Sequence, residues 1–276
     1  MSQPWLSAID WTRPWLAPFR ETAGLLLEGG CWRTAANLLA ALRGLRNQQG
    51  FPIVFVDQAE LSNGVAYETF IGRTGQVPTR ENLHDFFNAL AWLTHPLAKA
   101  SLNAVQAGEI DRLSSPLALA PAQASKLDAC SSTRGLLRDR ATLFDENAGL
   151  LLASEESIEI ALRQHDWQQA LVARRAAFGT CCEIRLFGHA LIEKLVSPYK
   201  AITAHVWVLP VQQQFFALDD DERRQQVDML LAGEIGGGLL GVPAMALPVL
   251  GVPGWWSPQD SAFYDDRTVF RPKRSA

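Results

Sequence analysis

Cysteine, lysine and the established catalytic signatures are what this sequence has least of, and each shortage argues against a class of function. The four cysteines, Cys31, Cys130, Cys181 and Cys182, include no C-x-x-C pair. That argues against a disulfide framework or a thiolate zinc site, and it suits a reducing cytoplasm. Arginine outnumbers lysine twenty to five and the net charge is −4, so the clustered basic field that nucleic acid requires is missing. No Walker A sequence, G-x-S-x-G elbow, H-E-x-x-H or H-x-H occurs, which removes the best-defined nucleotide, esterase and zinc-protease patterns. The opening Met1-Ser2-Gln3-Pro4-Trp5 has no basic segment leading into an apolar one, so no signal peptide is expected. Charge is absent from Ile235 to Gln259, but that run contains Gly236-Gly237-Gly238, Pro243, Pro248, Pro253 and Pro258. It would make a poor membrane-spanning helix and reads as an apolar arm.

What the sequence does have is bulk and periodicity. Its 276 residues, 48% hydrophobic and 20% charged, suffice for one domain that buries most of its unfolded surface. Leucine and alanine at helical spacing predict one long helix over 22–48, and residues 51–56 predict a strand. Residues 67–71 fit either a second strand or a helical turn broken at Gly72. Thr79 behind Pro78 predicts the N-cap of a helix to Leu93, which Pro96 separates from a second helix over 97–113. Residues 114–132 read as a hinge-like connection. Segments 140–144 and 150–153, flanking Asp145-Glu146-Asn147-Ala148-Gly149, predict a β-hairpin. Helices are predicted over 155–176 and 182–196 and a strand over 202–209, with a further helix opened by the capping-box spacing of Asp219 and Glu222. The sum is an α+β chain, predominantly helical with a small antiparallel sheet or hairpins. It reads as a single domain over 1–276, with a helical half at 22–113 and an α+β half at 133–276 ending in a Pro-, Gly- and Trp-rich arm at 235–272.

Three of the five histidines, His84, His189 and His205, lie in apolar stretches. A buried polar side chain costs free energy unless it is hydrogen-bonded or ligates something. His84 with Asn88 and His189 with Glu193 have the i, i+4 spacing of one helical face, and Lys99 with Asn103 repeats it. A histidine with a carboxylate one turn away can hold a metal or move a proton. His95, just before Pro96, reads as a cap of its helix end.

These residues supply two readings. In the first, His84, His189 and His205 ligate a divalent metal ion, with Asp85 or Glu193 as base and Asn88, Asp145 and Glu146 completing the catalytic set. Arg80, Lys99, Arg138 and Lys200 would clamp a small anionic substrate, and the reaction would be metal-dependent hydrolysis. In the second, the chain is a non-enzymatic interaction or scaffold module. Its polar clusters are then buried structural networks, and the Trp255-Trp256 arm over 247–272 docks on a partner or a second copy.

A family resemblance runs through the same residues. It is carried by Phe70-Ile71-Gly72-Arg73-Thr74-Gly75, Asn82-Leu83-His84-Asp85-Phe86-Phe87-Asn88, Arg138-Asp139, and Thr142-Leu143-Phe144-Asp145-Glu146-Asn147. Phe187-Gly188-His189-Ala190-Leu191, Lys200-Ala201-Ile202-Thr203-Ala204-His205, and the tail from Leu247 to Trp256 extend it. Over about residues 50–272 the chain resembles the bacterial family known as domain of unknown function 3025. The resemblance implies no activity. His95 stands where that pattern would carry an aromatic or apolar residue.

Overall fold

One short apolar run organises the structure. In the computed structural model, which describes residues 4–28, 30–114 and 124–273, with backbone alone at 113–114 and 124–134, all six residues of β3 (Ala148–Ala153) are buried. The strand lies inside a sheet of order β4–β3–β5–β6. It pairs antiparallel with β4 (Cys182–Leu186) and parallel with β5 (Thr203–Pro210), which pairs antiparallel with β6 (Met245–Pro248). The alternation of a strand sends Leu150 and Leu152 to one face and Leu151 to the other, and each face has its own core. A strand covered on both sides reads as continuous hydrophobicity.

Helices α1 (Arg20–Glu28), α2 (Trp32–Leu42) and α4 (Leu83–Thr94) cover one face together with the carboxy-terminal arm. The other face is covered by α5 (Pro96–Ser114), α6 (Ala124–Asn147) and α9 (Asp220–Gly237). A separate parallel pair, β1 (Val54–Asp57) with β2 (Gln76–Thr79), is joined through α3 (Tyr67–Thr74), which packs on α5. The chain is therefore α+β and mainly helical, as the periodicity predicts.

Several local expectations change. The helix predicted over 22–48 is two helices, with Gly30 at φ +73° between them. Residues 67–71 are helical. The N-cap of α4 is Asn82, whose Oδ1 accepts the Asp85 N–H at 2.8 Å. Thr79 ends β2 instead, its hydroxyl donating to the Val56 carbonyl at 2.8 Å. Within the predicted connection at 114–132, residues 115–123 lie outside the described residues and the chain is helical from Ala124. The predicted hairpin is replaced by the last turns of α6 running directly into β3. Ala141 and Phe144, three residues apart and both fully buried, satisfy helical rather than strand periodicity. The α-helix within the predicted 155–176 is only α7 (Glu156–Arg163). Residues 182–186 form a strand because they pair with β3, leaving α8 (His189–Lys194) as the helix there. The capping box of Asp219 and Glu222 forms as expected.

The uncharged run from Ile235 is divided among the end of α9, β6 and short turns. Among the described residues no helix is long and apolar enough to cross a membrane. Val249, Leu250, Val252, Phe263, Tyr264 and Phe270 of the arm are buried in the chain's own core, and Trp255 and Trp256 pack against it. Much of the arm is thus buried inside the molecule, while Trp255 and Trp256 stay half-buried at its edge.

Candidate metal centre

Three segments remote in sequence meet at the amino-terminal end of β3. The unbroken passage from α6 into β3 sets Asp145 and Glu146 on the final helical turn. After β4 the chain turns at Phe187 and Gly188, whose N–H groups both donate to the Ala148 carbonyl, at 2.9 and 3.0 Å. A Cβ on Gly188 would stand 2.4 Å from the backbone nitrogens of Asn147 and Ala148, so only glycine permits this approach. The contact brings His189, the first residue of α8, against the end of α6. Helix α4 packs on α8 and supplies His84 from its first turn.

The two imidazoles face each other with Nε2 atoms 3.1 Å apart. Glu146 Oε2 is 3.7 Å from His189 Nε2, and one ligand atom from each of His84, Glu146 and His189 lies within 4.8 Å of the others. Behind each ring stands another carboxylate. Glu193 Oε2 is 3.0 Å from His84 Nδ1, and Asp145 Oδ1 is 3.8 Å from His189 Nδ1. For His84 the hydrogen bond to Glu193 fixes the tautomer and turns the Nε2 lone pair toward the shared centre, whereas His189 Nδ1 makes no hydrogen bond and feels Asp145 only as a nearby charge.

Electrostatics prepare the same residues. Burial lowers the His189 pKa to about 4 despite the opposing pull of Asp145, so its ring is neutral near pH 7 and able to ligate. Burial also works against charge on Asp145, but Lys99 and His189 outweigh it and hold the carboxyl below its usual range. Burial raises Glu146, with His84 offsetting part of the rise. Lys99, buried over the Trp92 ring, donates to Asp145 and, at 2.9 Å, to Asn88 Oδ1. Asn88 Nδ2 in turn donates to the Tyr67 hydroxyl at 3.0 Å.

The structure thus joins His84, His189, Glu193, Asp145, Glu146, Asn88 and Lys99. It does not bring in His205, which sits on β5 with Nδ1 2.8 Å from Asn147 Nδ2 and is not in the ligand group. Asp85 and Arg80 bind each other: the carboxylate accepts from the Arg80 backbone N–H at 2.6 Å and from its Nε at 2.9 Å. That pair closes the turn before α4, which corrects both the base assigned to Asp85 and the clamp assigned to Arg80. Lys200 is likewise committed elsewhere, to Asp266 at 2.8 Å and to the face of Phe263. Arg138 does line a cleft with Asp145 and Glu146. His95 is C-cap through its backbone N–H, which donates to Ala91 at 2.8 Å, but neither nitrogen of its ring has a hydrogen-bond partner.

Sequence reasoning passed over two residues, Tyr67 and Glu68, because the ambiguous reading of 67–71 gave them no face. Glu68 Oε2 accepts from Asn103 Nδ2 at 2.6 Å, and burial with Asp145 nearby pushes its pKa up to about 7. An acid at the start of an apolar helix was the available signal. Glu81-Asn82-Leu83-His84 also has E-x-x-H spacing. Glu81, however, precedes α4 and takes Trp32 Nε1 at 2.9 Å and Arg33 at 3.0 Å.

No curated protein and no solved structure matches the chain. Residues 53–274 match the family described as "Protein of unknown function (DUF3025)". The match spans the strings that carry the sequence resemblance, including those that supply His84, Glu146 and His189, and the chain belongs to that family.

Proposed function

We propose that this chain holds a divalent metal ion at His84, His189 and Glu146 and uses it to hydrolyse a small anionic substrate. The observation that carries this reading is the 3.1 Å approach of two imidazole Nε2 atoms, with one carboxylate beside them and another behind each ring. Two imidazoles and a carboxylate suit borderline divalent ions such as zinc, iron or manganese, and three protein ligands leave positions open. An ion there would supply Lewis acidity, polarising the scissile group and lowering the pKa of water.

The chain's own residues do the rest. Glu193 holds the Nδ1 hydrogen of His84 and leaves Nε2 as the donor atom. Lys99 neutralises Asp145, which would otherwise repel Glu146. Glu193, at the site's open edge, is also placed to act as the base. Side-chain exposures of 32% for His84, 37% for Glu193 and 38% for Glu146 favour a working site over a structural network, whose members would be enclosed.

Elemental analysis of the purified protein and calorimetric titration with zinc and manganese test the proposal. The expected result is one bound ion per chain, lost in His84→Ala and His189→Ala and retained in His205→Ala. Protein that holds no metal, or metal binding that survives both of the first two substitutions, would overturn it.

A further inference from the structure

We propose that the cleft beside this centre, between α3, α5 and α6, is the substrate pocket, and that its ligand is a small molecule carrying one carboxylate or phosphate group next to a neutral hydrogen-bond acceptor. The inference rests on the metal reading for the bond that breaks, while the binding it describes can be measured without metal. The cleft holds about 150 Å³ and is lined by Tyr67, Glu68, Gln106, Arg138, Asp145 and Glu146, among others. A cavity of about that size takes a benzene-sized molecule. It shares Asp145 and Glu146 with the metal centre, so a molecule lodged there lies against the site.

Arg138 supplies the anion contact. Among the described residues its guanidinium makes no ion pair or hydrogen bond, although carboxylates line the same cleft. A planar fork left unpaired in a concave site matches a carboxylate or phosphate bidentately. The lining acids do not cancel it. Asp145 is matched by Lys99, and Glu146 belongs to the ligand group. Glu68 faces Lys99 from α5, Asp145, Glu146 and Arg138 from α6, and Tyr67 on its own helix; its pKa of about 7 keeps it partly protonated near neutrality.

Glu68 and Tyr67 supply the neutral contact. Asn103 Nδ2 occupies one Glu68 oxygen at 2.6 Å, which leaves the other, when protonated, to donate to a ligand. The Tyr67 oxygen accepts from Asn88 at 3.0 Å, so its hydrogen remains to be donated, and burial keeps the phenol protonated. Two donors in the lining of the cleft that holds one cation select an acceptor such as a carbonyl or hydroxyl oxygen beside the anion.

Calorimetric titration of the full chain with acetate, inorganic phosphate and neutral acetamide, before and after chelation of metal, tests this. Acetate or phosphate is expected to bind at millimolar concentration, and whichever binds identifies the anion. Arg138→Gln should weaken that binding about tenfold or more, while Arg163→Gln, which removes an arginine outside the cleft, should leave it unchanged. Acetamide binding as well as the anions, no binding by either anion, or an Arg138→Gln variant that binds normally would overturn the inference. Metal content measured in the same samples keeps the two proposals apart. Metal retained without anion binding sinks only the pocket, and anion binding without metal sinks only the metal centre.

Discussion

Replacing His95 with phenylalanine should stabilise the protein, and more so in acid. His95 is 0% exposed. Its ring meets Phe19 edge-on at 6.1 Å and Phe187 at 5.8 Å, and both of its nitrogens lack partners. Burial, with Arg185 and Arg224 adding, lowers its pKa from 6.5 to about 3. At neutral pH the buried ring therefore carries no charge but leaves polar atoms unmatched, at a cost of about 1–3 kcal/mol. Phenylalanine keeps the aromatic contacts without that cost. A depressed pKa means that the unfolded chain takes up the proton first. Stability is therefore fully present above pH 6.5 and is lost as pH falls through the window down to about 3. The full window is worth about 5 kcal/mol, of which about 2 kcal/mol falls between about pH 7 and pH 5. His189 titrates in the same direction in both proteins and cancels in their difference. Urea denaturation should show His95→Phe ahead by about 1–3 kcal/mol at about pH 7 and by about 2 kcal/mol more at about pH 5. A variant less stable than its parent at neutrality, or one whose advantage does not grow in acid, would refute this reasoning.

Two further outcomes concern the centre itself. Lys99→Met leaves the buried Asp145 charge without its partner and should cost about 3–5 kcal/mol in chemical denaturation, much of it recovered in the double variant with Asp145→Asn. An equal cost in the single and double variants would show that Lys99 acts through packing alone. Gly188→Ala forces a methyl group to 2.4 Å from the backbone of Asn147 and Ala148. Its expected cost is about 1–3 kcal/mol of stability, together with at least about tenfold weaker zinc binding by calorimetry, since a ~1 Å displacement at a preorganised site is costly. Zinc affinity unchanged in a destabilised variant would mean that this close approach does not position His189.

That His84 and Asn88 share one helix, and His189 and Glu193 another, was legible because helical spacing is local, but neither couple pairs within itself: Glu193 meets His84, and Asn88 meets Lys99 and Tyr67. Backbone geometry repeats every 3.6 residues wherever a helix forms. The same holds for Asp219 with Glu222, for Pro96 between α4 and α5, and for the apolar run of β3. Local signals failed where two conformations share one composition. Residues 140–147 offered turn-forming Asp145, Glu146 and Asn147 beside short apolar segments, and only burial of Ala141 and Phe144 against the sheet chose the helix. That choice moved Asp145 and Glu146 from an imagined hairpin tip to a helix end that faces His189.

Tertiary structure alone decided the membership of the centre. His205 and Glu146 were equally eligible by residue type, as Asp85 and Glu193 were for the base. The register of β5 placed His205 opposite Ala148 and Ala246, whereas the Gly188 turn and the packing of α4 on α8 drew in His84, Glu146 and Glu193. Each segment's sequence determined how its own backbone would fold and which of its faces would be apolar. Which polar faces met, across 105 residues between His84 and His189, was set by how the helices closed over both sides of one buried strand, because contact between distant segments depends on packing that no single segment encodes.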